Sequence, residues 1–387
     1  MAALEPTDSF AVGMAATTTD VLTVGADREP ALEATFVAPT RVGPLKIADL
    51  EDLDSAAQKV MDPGAFAFIA SGSDSQWTLH ENRRAFQRVT LKPHYLVGQP
   101  QPELRTTLLG HALSMPIITT PMGTHGLAHV SAESGTAKGT GEAGTLMTVS
   151  TMANQPIEVI AAATQGPKWF QLYLLQERAA SLALIRRAEA AGYTAIVFSI
   201  DAFAPGSSDA TIRMGFSFPP GLPIVNANPA QMKKSLGWDD LKFIQDSTKL
   251  PVVLKGVLTP ETAKQALDQG VAAIQVSNHG GRQLDGVAAA FDALPGVVEA
   301  VGGRVPIIMD SGIRRGGDVF KALARGANAV AIGRPVLFSL ALGGWMGVKS
   351  AYERIAAELS RDMLIAGAAR VADIDRRFLI PSAGPVR

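Results

Sequence analysis

From Met115 onward the chain repeats one unit: a short apolar run rich in β-branched residues, then a stretch with helical spacing. The runs lie at 116–121, 146–150, 169–174, 195–201, 252–257, 273–278, 306–310 and 330–333. Apolar runs of this length, bounded by turn residues, read as strands buried on both faces, and such strands belong to parallel sheets covered by helices. Between them, 179–191 and 260–269 carry helical patterns, the second ending at Gly270, a residue type favoured just past a helix end. Eight such units in 387 residues predict a TIM (β/α)8 barrel, with a doubly wound open sheet as the alternative. The open sheet usually carries a glycine fingerprint at its first strand–helix turn, and Met122-Gly123-Thr124-His125-Gly126 is not one.

Ahead of the repeat, residues 1–40 sustain no period and are expected to form an extension, mobile or draped over a neighbour, with 41–387 as the barrel domain. Ile47, Leu50, Leu53, Ala56 and Val60 mark a helix over 46–60, ended by Asp62-Pro63-Gly64. By pattern alone, 65–72 reads as an amphipathic helix and 77–82 as a loop. With 35 basic against 36 acidic residues, nothing points to a nucleic acid or an acidic membrane surface as partner. The absence of cysteine excludes disulfides, thiolate metal sites and a Cys nucleophile. No apolar run reaches transmembrane length, and the N-terminus lacks the basic and apolar regions of a secretory signal, so a cytoplasmic location is expected.

A barrel presents its active residues at the C-terminal ends of its strands. Those ends offer Pro121-Met122-Gly123, Ser150, Gln171 with Tyr173, Ser199 with Asp201, Lys255, His279 with Arg282, Asp310-Ser311-Gly312-Ile313-Arg314, and Gly333-Arg334. The last two sets fall where such barrels often bind phosphate. The most informative stretch is Ser277-Asn278-His279-Gly280-Gly281-Arg282-Gln283-Leu284-Asp285. Its glycines let the backbone approach a ligand, its imidazole can take a proton near neutral pH, and its guanidinium can grip a carboxylate. The plainer alternative is a polar loop whose His caps a helix. Lys255 interrupts a buried strand and needs a partner, which an interlayer salt bridge could also supply. Tyr173 could be a packed tyrosine with a satisfied hydroxyl, and Asp201 a helix N-cap. The other histidines (His80, His94, His111, His125, His129) show no metal-ligand spacing, so no metal is expected.

The run from Ser277 to Asp285 resembles that of the FMN-dependent 2-hydroxy-acid oxidase and dehydrogenase family. The resemblance extends from about Leu45 to the C-terminal region. It is nearest to the lactate-oxidase branch in Gly126-Leu127-Ala128-His129, in Pro167-Lys168-Trp169-Phe170-Gln171 and in the segment from Arg304 to Gly312. It implies an FMN cofactor, a small-molecule 2-hydroxy-acid substrate, oxygen or another electron acceptor, and a homotetramer. By the same resemblance, His279 is the base for hydride transfer to flavin N5, Asp201 supports the charged His, Tyr173 bonds the substrate oxygen and Arg282 clamps its carboxylate. Lys255 is matched to the lysine that stabilises the reduced flavin. Pro121, Met122, Gly123, Ser150, Gln171, Ser199, Lys255 and Ser277 are assigned to the flavin side of the cofactor, and Asp310, Ser311, Gly312, Arg314, Gly333 and Arg334 to its ribityl phosphate. The departures lie in the substrate pocket. Phe68 stands for a tyrosine, Ser208 for a second carboxylate-binding arginine, and Met152 for an aromatic residue. They leave open an alcohol, a 2-hydroxy ester or amide, or a larger apolar substrate.

Overall fold

The computed structural model describes residues 36–98 and 100–380, so the expected extension lies mostly outside the described residues. Three helices come first: α1 (Asp52–Gln58), α2 (Pro63–Ala70) and α3 (Trp77–Gln87). Two short strands, β1 (Thr106–Leu108) and β2 (His111–Leu113), then pair antiparallel. Eight parallel strands follow: β3 (Ile117–Thr119), β4 (Met147–Ser150), β5 (Lys168–Leu172), β6 (Ile196–Ser199), β7 (Val252–Val257), β8 (Ala273–Val276), β9 (Ile307–Met309) and β10 (Ala329–Ile332). They close in chain order, β10 pairing with β3. Each overlaps a run read from the sequence, so the closed barrel holds and the open sheet does not. The helices packed around them are α4 (Ala132–Glu142), α5 (Ile157–Ala162), α6 (Arg178–Ala190), α7 (Asp209–Arg213), α8 (Trp238–Asp246), α9 (Pro260–Asp268), α10 (Ala290–Val301), α11 (Gly316–Ala324) and α12 (Arg334–Ala366). Among the described residues no helix is long and apolar enough to cross a membrane.

Ile118, Trp169, Val197, Val253 and Ile308 fill the barrel interior and pack with Leu108 and Leu113 of the β1–β2 hairpin. His111 bonds Thr194 just ahead of β6, which puts the hairpin at the N-terminal mouth. That mouth is therefore plugged, and the opposite one is left for a ligand. Three-residue strands are too short to show a period, so pattern reading misses the hairpin. Its turn, with φ 44° at Leu109 and 83° at Gly110, has both central residues left-handed, as the tightest hairpins require.

Two further expectations are corrected. The helix over 46–60 is only α1, Asp52–Gln58. The stretch read as a loop, 77–82, is the first half of α3. No local side chain caps that helix. Instead the Asp285 carboxylate, from the far side of the chain, accepts hydrogen bonds from Thr78 N (2.7 Å), Trp77 N (3.2 Å) and Ser75 Oγ (2.7 Å). A reciprocal amide pair between Asn82 and Asn278 (2.9 and 2.8 Å) fixes α3 against the loop after β8.

Candidate active site

The loop leaving β8 turns through three successive left-handed residues, His279 (φ 58°), Gly280 (66°) and Gly281 (72°). A non-glycine residue there is strained, and the surroundings must hold it. His279 N donates to Ser277 Oγ (3.0 Å), and Gly281 N to the backbone and side-chain oxygens of Asn278. A Cβ on Gly281 would lie 2.6 Å from Leu79 N, so glycine is what lets α3 close on the loop.

This turn brings His279 over Asp201, Lys255 and Tyr173. Asp201 Oδ1 is 3.1 Å from His279 Nδ1, and Asp201 Oδ2 is 3.6 Å from Lys255 Nζ. Lys255 Nζ is 3.4 Å from the same Nδ1. Nδ1 cannot serve both neighbours in the neutral ring, since it must donate to one or accept from the other. The closer carboxylate favours Nδ1–H, which leaves the Nε2 lone pair free, 3.4 Å from the Tyr173 hydroxyl. Burial resists ionisation of Asp201, but the Lys255 ammonium and His279 outweigh it and hold the carboxyl at about 2. Burial first, then the Lys255 ammonium, push His279 below its ordinary value against the pull of Asp201, so the ring is poised as a neutral base. Burial and the Asp201 charge push the Tyr173 phenol up, so it stays a donor.

Two arginines tie this centre to α2. Arg282 Nη1 donates to the carbonyls of Phe68 (2.7 Å), Ser71 (3.1 Å) and Ile69 (3.3 Å), capping the helix end with a cation. Its Nε and Nη2 make no hydrogen bond among the described residues and remain for a ligand. The Phe68 ring centroid lies 4.9 Å from the Arg282 guanidinium, and Phe216 and Phe218 pack on that ring at 5.4 and 5.0 Å. Arg334 donates to Ile69 O (3.0 Å), Gly280 O (3.0 Å) and Ser71 O (2.8 Å), so its guanidinium holds backbone. Ser208 caps α7, and its Oγ lies 2.8 Å from the Oγ of Ser71, whose carbonyl Arg282 contacts. Met152 sits against Gly123, whose added Cβ would touch it at 2.7 Å.

The residues assigned to FMN line the same mouth because parallel register aligns them: Ser150 opposite Gln171, Ser199 opposite Lys255, and Lys255 opposite Gln275. Gln171 Nε2 and Ser199 Oγ are buried with no partner among the described residues. Each such orphan typically costs about 1–3 kcal/mol, which a ring edge rich in carbonyl acceptors would recover. Asp310 accepts hydrogen bonds from Ser311 Oγ, Thr120 Oγ1 and Gln275 Nε2 (2.8, 2.8 and 2.6 Å), which fix its carboxylate in the turn after β9. In that turn Ser311 (φ 83°) and Gly312 (92°) are left-handed. Among the described residues the Arg314 guanidinium bonds only Ile313 O (3.0 Å), and α12 starts at Gly333–Arg334 with no side-chain cap. Burial, then Arg282 and Arg314, push Arg334 well down, an excess of positive charge that an anion would relieve. The cradle therefore fits an aromatic ring with carbonyl edges and a phosphate tail. Gln275 and Thr120 were missed in the sequence, although Gln275 is a polar residue inside an apolar run.

Among the described residues, no group of three His, Asp or Glu gathers as metal ligands. His125 instead lies 2.8 Å from Thr136 Oγ1 and 3.1 Å from Met122 O, and His129 2.8 Å from Ser131 Oγ and 3.1 Å from Arg41 O.

The family profile described as FMN-dependent dehydrogenase matches residues 57–381. An L-lactate oxidase of Lentilactobacillus hilgardii is 41% identical over 352 residues, covering 87% of this chain and 95% of that protein. Glycolate oxidase 3 of Oryza sativa subsp. indica is 38% identical over 360 residues, covering 88% and 98%. The crystal structure of a Pediococcus acidilactici protein assigned as a lactate oxidase superposes with a TM-score of 0.87 at 41% identity, covering 89% and 98%.

Proposed function

The chain belongs to the FMN-dependent dehydrogenase family, and on that premise we propose that it oxidises an (S)-2-hydroxy acid to the 2-oxo acid. The observation that carries this reading is the grouping of His279 Nε2, the Tyr173 hydroxyl 3.4 Å away, and Arg282, whose charge acts on both of them. FMN, when bound, supplies the two-electron sink, and the chain supplies orientation and proton transfer. The Arg282 edge holds the carboxylate, which turns the 2-hydroxyl toward His279. Tyr173 donates to the substrate oxygen. Nε2 takes the hydroxyl proton as the carbon loses its hydride equivalent, and Asp201 stabilises the imidazolium that results. Gln171, Ser199 and Lys255 would hold the ring, and the Arg314 guanidinium with the N-terminus of α12 would hold the phosphate.

Three further points belong to this proposal: oxygen or another acceptor that regenerates the cofactor, a homotetrameric assembly, and a cytoplasmic location. A reoxidation trace in air separates an oxidase from a dehydrogenase. A second reading, a non-carboxylate or larger apolar substrate, is favoured by Phe68 and Ser208, neither of which offers a carboxylate a charged partner. Comparing lactate with its methyl ester separates the two readings.

The test is His279→Ala. The variant should stay yellow, because among the described residues the ring's partners are Asp201, Lys255 and Tyr173, none of them assigned to the phosphate, while substrate-driven flavin reduction falls by about 10²–10⁴. Near-normal reduction would overturn the assignment of the base, and FAD or no flavin in the heated supernatant would overturn the cofactor.

A further inference from the structure

Glu133, in the first turn of α4, is fully buried, and the reaction described above does not use it. Its Oε2 has no hydrogen-bond partner among the described residues. A carboxylate at such depth is costly, and an apolar side chain would satisfy packing alone. What Glu133 does there is hold backbone. Its Oε1 accepts from His125 N (2.9 Å) and from Asn154 N (3.1 Å). His125 belongs to the loop after β3 and Asn154 to the loop after β4, so one oxygen atom joins two loops at the open mouth of the barrel.

The first of these loops carries Pro121, Met122 and Gly123, and the second carries Met152. Around Glu133 the join is repeated. Thr124 N donates to Met152 O (3.0 Å) and Gly126 N to Asn154 Oδ1 (3.0 Å). The His125 imidazole, also fully buried, lies 3.1 Å from Met122 O through Nε2 and 2.8 Å from Thr136 Oγ1 of α4 through Nδ1. A carbonyl only accepts, so Nε2 carries the proton and Nδ1 accepts from the Thr136 hydroxyl. Burial pushes this imidazole below its ordinary value and keeps it neutral in that tautomer. Thr124, just ahead of it, is left-handed (φ 56°), a strained conformation for a β-branched residue that the surrounding anchors must sustain.

We propose that Glu133 is a positioning residue: by holding His125 and Asn154 at one atom, it sets the Met122–Gly123 backbone and Met152 where the flavin ring and the substrate need them. The inference rests on the assignment of those residues to the ring and the pocket wall made above. Its role is geometric. Glu133 supplies an acceptor at a fixed place, and it neither meets the substrate nor exchanges a proton with it.

Glu133→Met keeps the length and removes the acceptor, whereas Glu133→Gln keeps an acceptor in the same place. Both holoenzymes are compared with wild type by visible circular dichroism of the bound flavin, which reads the walls against the ring, and by anaerobic flavin reduction. Glu133→Met should alter the dichroism and slow reduction at saturating substrate by about 10- to 100-fold, the scale of a misplacement near about 1 Å. The substrate dissociation constant from the same traces should move by less than about threefold, because Arg282 lies on the loop after β8, apart from the two that Glu133 holds. Glu133→Gln should restore the dichroism and most of the rate. The comparison variant is Asp240→Leu, since Asp240 is also buried and accepts from Gly237 N (2.9 Å) at the start of α8. It should lower Tm and leave both flavin readouts as in wild type. If Glu133→Met does not fold, Glu133→Asp, which retracts the acceptor by one methylene, should show the same changes in the same direction. Wild-type dichroism and rate in the Met or Asp variant would overturn the proposal. So would equal changes in Asp240→Leu, or a Gln variant that behaves like Met. If no 2-hydroxy acid reduces the wild-type flavin, the functional reading falls, and the dichroism still decides the role of Glu133.

Discussion

Replacing Asp201 with Asn tests the proton-transfer assignment through two readouts that move in different directions. Asp201 Oδ1 lies 3.1 Å from His279 Nδ1 and Oδ2 3.6 Å from Lys255 Nζ, so the substitution removes the carboxylate that both side chains face. In the wild type Asp201 raises the proton affinity of His279, against burial and Lys255. Without it, the ring is harder to protonate, and the acid limb of kcat/KM moves to lower pH. The plateau must fall all the same, because the imidazolium formed during the reaction has lost its counterion. Truncating one member of a desolvated pair costs about 2–5 kcal/mol, or roughly 30-fold to several-thousand-fold. The Asn amide can also donate to Nδ1, which would put the ring proton on Nε2 and block the base. Anaerobic stopped-flow flavin reduction across the acid and neutral range measures both quantities. A plateau within about threefold of wild type, or an acid limb displaced upward, would refute the coupling.

Three other outcomes follow from the same geometry. Ser208→Arg with Phe68→Tyr should lower the KM for lactate at least tenfold, because Ser208 bonds Ser71, whose carbonyl Arg282 also contacts; an unchanged KM would mean that another group anchors the carboxylate. Arg314→Met should weaken FMN by about two orders of magnitude in a fluorescence titration while leaving riboflavin nearly unaffected, since among the described residues its guanidinium bonds only Ile313 O. Acid should destabilise the fold in two stages. His279 is held below its ordinary value, so stability falls as pH drops through the unfolded-state value near 6.5. Asp201 is held at about 2 against 3.8, so its contribution, on the order of 2 kcal/mol, is present above 3.8 and lost as pH falls toward 2. Asp201→Asn should remove the second stage from a denaturation series.

The barrel was legible because a strand buried on both faces leaves an uninterrupted apolar run, and because eight such runs alternate with helical spacing. The position of the site was legible for a related reason. A polar residue such as Lys255 or Gln171 at the end of an apolar strand is costly unless something uses it. The left-handed turn at His279 was foreshadowed by the two glycines after it. Sequence alone could not place α3, whose N-terminal cap, Asp285, lies more than 200 residues away. It could not show that Arg334 holds α2, or that Ser208 bonds Ser71 beside the Arg282 contacts. Nor could it reveal that Phe218 packs edge-on against Phe68 beside the Arg282 guanidinium. Periodicity reports which face of an element is buried, because burial acts on each residue through its own surface. Hydrogen bonds and cavities depend on which elements meet, and only the closure of the chain decides that.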